Sequence, residues 1–495
     1  MAIVSRLLTT RARERPGSVA FLSGAGEQAL TWGAVAEHAT GWRDMAPPGS
    51  RVGLVIADPL TFTAAYLGCL SAGLTAAPID PRLTPGELSD VLARLRIDVF
   101  ATDQEDPVIS PGLDTVLVDL AGPRRVWTTT TANRPSDGAA LRPAVLLTSS
   151  GTTGRPKGIP LTERQLMHAA GRVARHHGFG PGERGYTPLP LFHVNAQVMG
   201  LLATVESGAS LVIDRRFEAG EYWARVERHR PTWLNAVPAI LASLAQRPAP
   251  PGHVVDGIRF VRSASAPLPP ATARAFAEHT GLGVLETYGM SEAAGQITSN
   301  PLDPRRRRAG SVGLPVEVDL IVAGPDGRES SPGEEGEVLL RGPQIVREYL
   351  ELGEHGPERT RPARDADGWL RTGDVGIRDE EGFLRLAGRV DDVINRGGEK
   401  IYPQEVENVL LAHPDVAAVA VVGAPHERLG QVPVAFVTTR RSDPPALEAS
   451  LLAWCEGRLT RYKRPTVVEI TDALPVGPTG KVLRRALRSE LAGSQ

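Results

Sequence analysis

Residues 146–162, LLTSSGTTGRPKGIPLT, pass from an apolar run into hydroxyls, glycines and two cationic side chains. Ser149, Ser150, Thr152 and Thr153 can donate hydroxyl hydrogen bonds, Gly151, Gly154 and Gly158 let backbone amides converge, and Arg155 and Lys157 add positive charge. That combination suits a polyphosphate. It is not a Walker A loop, which needs G-x-x-x-x-G-K followed by Ser or Thr, because Lys157 is preceded by Pro156 and followed by Gly158. Read alone, the stretch also fits an ordinary flexible β-to-α loop.

Four other segments carry chemistry-bearing residues. In ETYGMSEA (286–293), Tyr288 can stack on a base or pack in a core, and Glu292 can hold Mg²⁺ against phosphate oxygens. GMSEA falls one residue short of the hydrolase elbow G-x-S-x-G, since Ala293 stands in place of the last glycine. In GWLRTGDVG (368–376), Asp374 can accept hydrogen bonds from a ribose diol or sit on a surface turn. GRVDDVINRGGEKIYPQEVE (388–407) is too rich in charge and glycine for an inert linker, and LPVGPTGKVLRRALR (474–488) places Lys481 in a Gly-bounded loop before a basic helix. For that last segment a solvated cationic tail is the alternative.

Positioning such residues takes α/β layers. RVGLVI (51–56), PAVLLT (143–148), SLVI (210–213), TWLNAV (232–237), IRFVRSA (258–264) and GVLETYG (283–289) read as strands, with room between them for crossover helices. Thr84, Pro85 and Glu87 open one helix as a capping box, and Thr162 with Gln165 repeats the device. The phosphate-loop candidate is thus expected between a strand and a helix. Beyond about residue 388 the texture changes: an amphipathic helix over 402–416, two strands around a Gly- and Pro-bearing turn, and a helix near 444–459 suffice for a separate α+β domain. With 495 residues, more than one domain is expected.

Composition narrows the function. The net charge of −2, from 55 Lys plus Arg against 57 Asp plus Glu, gives no general attraction to nucleic acid or anionic membrane, so neither is expected as a partner. No signal-peptide core and no run of 18 apolar residues is present, which makes a cytoplasmic protein the default. Cys69 and Cys455 form no metal or disulfide framework, and Cys69 reads as a packing residue. The four arginines of DPRRRRAG (303–310) read as a solvated loop face.

These five segments, in this order, resemble the adenylate-forming enzymes, which include acyl-CoA synthetases, peptide-synthetase adenylation domains and beetle luciferases. PLFHVNAQ together with INRGGEKIYPQEVE most resembles the small- and medium-chain acyl-CoA and oxalyl-CoA synthetases. The resemblance implies an α/β fold: a large N-terminal part (1–389) of two stacked α/β subdomains plus a distorted β-barrel, and a small mobile α+β C-terminal domain (390–495). It also implies that Ser149, Ser150, Gly151, Thr152, Thr153, Gly154 and Lys157 wrap the β and γ phosphates of ATP. Ser291 would contact the α phosphate, standing where relatives usually have Thr, and Glu292 would ligate Mg²⁺. Tyr288 would cover the adenine, with Ser265, Ala266 and Pro267 on its other side, while Asp374 and Arg389 would hold the ribose. Asp391 matches the hinge, Gly398 the thiol tunnel, and Lys481 the lysine that reaches carboxylate and α phosphate. His193 matches the boundary between acyl pocket and tunnel; Asn195, Val237, Arg262 and Gly289 complete the expected pocket. Asn195 donates to a polar acyl group or is a satisfied buried amide. Arg262 meets a second substrate carboxylate or, the simpler expectation, forms an ion pair within the protein.

The implied activity is conversion of a carboxylic acid to acyl-AMP with release of pyrophosphate, then transfer to coenzyme A. Transfer to a carrier-protein phosphopantetheine, a ligase using only supplied acyl-AMP, and a catalytically inactive nucleotide-binding protein are the alternatives.

Overall fold

The structure is a computed structural model that describes residues 2–26, 28–105, 113–127, 142–149, 157–352, 359–439, 445–476 and 482–493. Two nine-stranded sheets dominate the first 360 residues. In the first, Val284–Met290, Phe260–Ser263, Trp233–Ala236, Arg184–Thr187, Ser210–Ile213 and Val19–Ser23 run parallel. Antiparallel strands, Gly295–Ser299 at one side and Ala29–Thr31 at the other, extend it. In the second, Val145–Ser149, Thr75–Pro78, Arg51–Val55, Val99–Thr102 and Asp114–Asp119 form the parallel core. Most of these strands are buried on both faces, as parallel strands covered by helices must be, and they read as continuous apolar runs for that reason.

Helix Pro59–Ala72 lies between the sheets and touches strands of both. Every residue from Pro59 to Leu70 is buried, which explains a helical sequence with no polar face. Cys69 is one of them, a packing residue as expected. The anticipated caps are present: Thr84 and Glu87 open Pro85–Leu95, and Thr162 and Gln165 open Glu163–His177.

One expectation needs correction. The phosphate loop does not pass from strand directly to helix. After it the chain forms strand Lys157–Leu161, antiparallel to Val145–Ser149 with Ser149 opposite Lys157, before Thr162 caps the helix. The loop therefore closes a hairpin. Gly158 and Pro160 disguise this strand, since both residues normally weaken one.

Where the barrel-like part was expected, Asp319–Ala323, Glu335–Arg341, Leu370–Arg378 and Leu384–Arg389 form a four-stranded antiparallel sheet. The C-terminal segment builds its own five-stranded sheet around Val416–His426 and Gly430–Thr439. Alternate residues of those strands feed two cores: Val419, Val421, Ala435 and Val437 pack with helices Pro403–Leu411 and Pro445–Cys455, while Ala420, Val422, Val434 and Phe436 pack with Leu487. The period-two geometry of a strand thus makes one unbroken apolar run serve both faces. Among the described residues no helix is long and apolar enough to cross a membrane.

Candidate functional site

Tyr288, Asp374 and Arg389 meet, although 86 residues separate the first two. Tyr288 comes from strand Val284–Met290 of the first large sheet; Asp374 and Arg389 stand opposite each other on adjacent strands of the four-stranded sheet. The Tyr288 hydroxyl donates to Asp374 Oδ2 at 2.5 Å, and Arg389 Nη1 donates to Asp374 Oδ1 at 2.9 Å. The Asp374 backbone N–H is held by Thr372 Oγ1 at 3.0 Å. Gly373, next to Asp374, has φ +72, a left-handed backbone that favours glycine. Burial, reinforced by the Asp374 charge, lifts the Tyr288 hydroxyl well above the usual tyrosine range, so it stays a donor.

Of the residues expected to meet the phosphates and Mg²⁺, Lys157 and Glu292 are in contact, Lys157 Nζ pairing with Glu292 Oε1 at 2.8 Å. Lys157 opens the hairpin's second strand and Glu292 sits in the short 3-10 turn Ser291–Ala293, so each large sheet contributes one partner. Tyr349 was not anticipated from sequence. Its ring lies 3.8 Å from Lys157 Nζ, and its hydroxyl donates to Glu292 Oε1 at 3.5 Å. It comes from strand Glu348–Glu351, which pairs with Lys157–Leu161; only that pairing, invisible in linear order, brings it here. Ser149 lies opposite Lys157 in the hairpin. Ser150, Gly151, Thr152, Thr153 and Gly154 lie outside the described residues, as does Lys481.

Glu292 is buried, and no group of three or more potential metal ligands occurs among the described residues. A single buried carboxylate of this kind fits Mg²⁺, which is commonly held by one or two carboxylates plus substrate phosphates.

The residues expected to line the acyl pocket include a buried polar cluster. Arg262, 3% exposed at the end of strand Phe260–Ser263, donates from Nη1 to Asn195 Oδ1 at 2.9 Å and Asn235 Oδ1 at 3.1 Å, and from Nε to Gln296 Oε1 at 3.4 Å. The ion pair expected within the protein is not formed: among the described residues only neutral amide oxygens accept from Arg262. Burial pushes its guanidinium down to about 9, which leaves it cationic at neutral pH. Asn195 is satisfied at both ends, since its Nδ2 also donates to Ser265 Oγ at 3.0 Å. Ser265 has φ +73, an uncommon left-handed backbone for serine, and Ser265, Ala266 and Pro267 are exposed. Val237 is the half-buried cap of helix Pro238–Leu244. A Cβ on Gly289 would sit 2.3 Å from the Gly295 carbonyl oxygen, so the crossing of backbones requires glycine there. His193 packs on Phe192 with ring centroids 4.4 Å apart, and its Nε2 is buried without a partner. Burial pushes its imidazole down to about 4, so it is neutral at physiological pH.

Glu286, two residues before Tyr288 on the same strand, went unremarked in the sequence. Desolvation pushes its carboxyl up to about 8 against the opposing hydrogen bond from the Leu268 backbone. A folded pKa above the unfolded value of 4.5 means that the stability this group contributes is complete below about pH 4.5 and is lost as pH rises towards 8. Glu286→Gln is therefore expected to raise the melting temperature relative to the parent by an amount that grows from pH 5 to pH 8 and then levels off. A difference independent of pH would contradict this.

In the C-terminal segment, Asp391 lies in the turn Val390–Asp392, and Gly397 and Gly398 form the two-residue turn between strands Ile394–Arg396 and Glu399–Ile401. Both have positive φ, +60 and +94, as a tight hairpin turn of this length demands. The basic helix Arg484–Gly493 is not a solvated tail. Arg484 pairs with Glu407 at 2.6 Å, and Arg488 with Asp392 at 2.5 Å, so the segment following Lys481 is tied to the turn that contains Asp391. Of the arginine run, Arg305 pairs with Asp303, Arg307 with backbone carbonyls, and Arg308 with Asp379 and Glu381.

Comparison with known proteins accords with this arrangement. The AMP-binding enzyme family model matches residues 8–350, and the model of the AMP-binding enzyme C-terminal domain matches 405–481. A sulfoacetate–CoA ligase of Cupriavidus necator is 38% identical over 98% of this chain and 97% of its own. An oxalate–CoA ligase of Arabidopsis thaliana is 33% identical over 88% of each. A crystal structure of an anthranilate CoA ligase in complex with anthranoyl-AMP superposes with a TM-score of 0.85 at 26% identity, covering 99% of this chain and 98% of that one. These proteins are named for chemically different acids, so family membership leaves the acid open. Matched along most of its length, the chain belongs to the AMP-binding enzyme family, on its acyl-CoA ligase branch.

Proposed function

We propose that the chain is an acid–thiol ligase that makes acyl-AMP from ATP and a small carboxylic acid, then passes the acyl group to coenzyme A. The observation that carries this reading is that Tyr288 meets Asp374 and Arg389, and Lys157 meets Glu292, with side chains drawn from three separate sheets; the first group would accept the ribose and Lys157 would meet the phosphates. A carboxylate is a poor electrophile because attack on it must expel oxide. Exchange of that oxygen for AMP removes the difficulty: a carboxylate oxygen attacks the α phosphorus and pyrophosphate leaves. The thiol gives up its proton, its sulfur attacks the acyl carbon, and AMP departs with the former acid oxygen. No protein nucleophile is required, so the protein acts by positioning and by electrostatic stabilisation.

In this reading Asp374 and Arg389 hold the ribose, Tyr288 covers the adenine against Ser265, Ala266 and Pro267, and Ser291 contacts the α phosphate. Lys157 and the 149–154 loop grip the outer phosphates. Glu292 is the residue that would hold Mg²⁺, which when bound neutralises charge on the phosphate oxygens. Lys481 bridges carboxylate and α phosphate, a task suited to a mobile point charge. Neutral His193 bounds the acyl pocket, which Asn195, Val237, Arg262 and Gly289 line. A small domain of residues 390–495 turns about Asp391 and brings Gly398 to the thiol path, so that one cleft serves both half-reactions. In this reading the enzyme works in the cytoplasm, where ATP and coenzyme A are both at hand.

The test supplies acid and MgATP with coenzyme A and a phosphopantetheine-bearing carrier protein in competition, and weighs the thioesters by mass. Pyrophosphate and acyl-CoA in equal amounts are expected. Preferential loading of the carrier would refute coenzyme A as acceptor.

A further inference from the structure

Arg262 poses a problem that family membership does not solve. Arg262 is 3% exposed, yet among the described residues the acceptors of its guanidinium are the neutral oxygens of Asn195, Asn235 and Gln296, and its Nη2 donates to none. A buried charge without a counter-charge is costly, and buried cations are normally paired. Elsewhere the chain obeys that rule: buried Arg225 pairs with Asp214 at 3.0 Å and Glu218 at 2.5 Å. Arg172, likewise deeply buried, lies in the field of Glu317, whereas among the described residues no carboxylate pairs with Arg262.

The surrounding amides are themselves fixed. Asn235 Nδ2 is 3.4 Å from Thr187 Oγ1, and Asn195 Nδ2 donates to Ser265, within the segment assigned to the adenine and acyl pocket. Arg262 is thus oriented from two sides by groups that cannot neutralise it, at the ends of parallel strands where α/β sheets bind ligands. Nε and Nη1 are taken up by the amides, which leaves Nη2 as the donor through which a second oxyanion can be held.

We propose that the acid this enzyme activates carries a second anionic group, a carboxylate or a sulfonate, seated on Arg262 while the first carboxylate is adenylated. The inference rests on the ligase reading and deepens it by naming the substrate class. The second anion supplies the missing counter-charge, and Arg262 determines specificity without touching the reacting atoms.

The experiment measures kcat/KM by ATP–pyrophosphate exchange for short dicarboxylic and sulfocarboxylic acids, each beside an uncharged counterpart such as its monomethyl ester or monoamide. The parent enzyme is expected to favour the doubly anionic member by roughly 100-fold or more, the order of discrimination available to a site whose buried polar groups would otherwise stay unpaired. Arg262→Met should collapse that ratio towards unity, and Arg262→Lys should restore part of it. The dicarboxylic and sulfocarboxylic arms identify which oxyanion the site prefers. A parent ratio near one, or in favour of uncharged acids, overturns the proposal however the variants fold. So does a Met variant that loses activity equally on both members and keeps the ratio, because that is what a purely structural role gives. Exchange with no acid of either kind would instead refute the ligase reading itself, so the two failures are distinguishable.

Discussion

Lys481→Ala is expected to reduce acid-dependent ATP–pyrophosphate exchange by about 100-fold or more, while thioester formation from supplied acyl-AMP is largely spared. The first half-reaction must bring a carboxylate against a phosphate. Two like charges about 4 Å apart at an effective dielectric of about 20 repel by about 4 kcal/mol, which corresponds to nearly three orders of magnitude in rate. A lysine bridging both oxygens cancels much of that term. The second half-reaction begins from a neutral acyl carbon and a thiol and has no such repulsion to offset. The helix that follows Lys481 is anchored through Arg484 to Glu407 and Arg488 to Asp392. Both half-reactions measured separately decide the matter; equal losses would remove Lys481 from the adenylation step.

Asp374→Ala should raise KM for ATP by roughly 10- to 100-fold with a smaller change in kcat, as expected for loss of hydrogen bonds made alike in ground and transition states. Asp374 is the shared acceptor of Tyr288 and Arg389, so its removal also leaves the Tyr288 hydroxyl, in a residue 8% exposed, without its partner. The readout specific to ribose binding is discrimination: the parent should prefer ATP over 2′,3′-dideoxy-ATP, and the variant should lose most of that preference. An unchanged preference would mean that Asp374 orders Tyr288 and Arg389 without meeting the nucleotide.

Much of this could be read in the sequence because its signals are local. Thr84 with Glu87 and Thr162 with Gln165 mark helix starts through spacing alone, and runs such as SLVI and TWLNAV mark buried strands through composition. The family motifs named Tyr288, Asp374, Arg389, Lys157 and Glu292, and the fold brings them together as two groups of contacts. What sequence could not supply depends on pairing between distant segments. Tyr349 reaches Lys157 only because strand Glu348–Glu351 adds to the hairpin's edge. The hairpin itself was masked by Gly158 and Pro160. Arg262 meets neutral amides and, among the described residues, no carboxylate, because Asn195, Asn235 and Gln296 converge on it from three separate segments, and no inspection of neighbours in sequence would reveal that.

Adenylation is tested most directly by the fate of the acid's oxygen. With the substrate acid labelled in both carboxylate oxygens with oxygen-18, complete turnover with ATP and coenzyme A should yield AMP carrying one labelled oxygen, unlabelled pyrophosphate, and a thioester retaining the other. Label in orthophosphate, with ADP as the nucleotide product, would place the attack at the γ phosphorus and contradict the roles given to Lys481, Ser291 and the rest of the site.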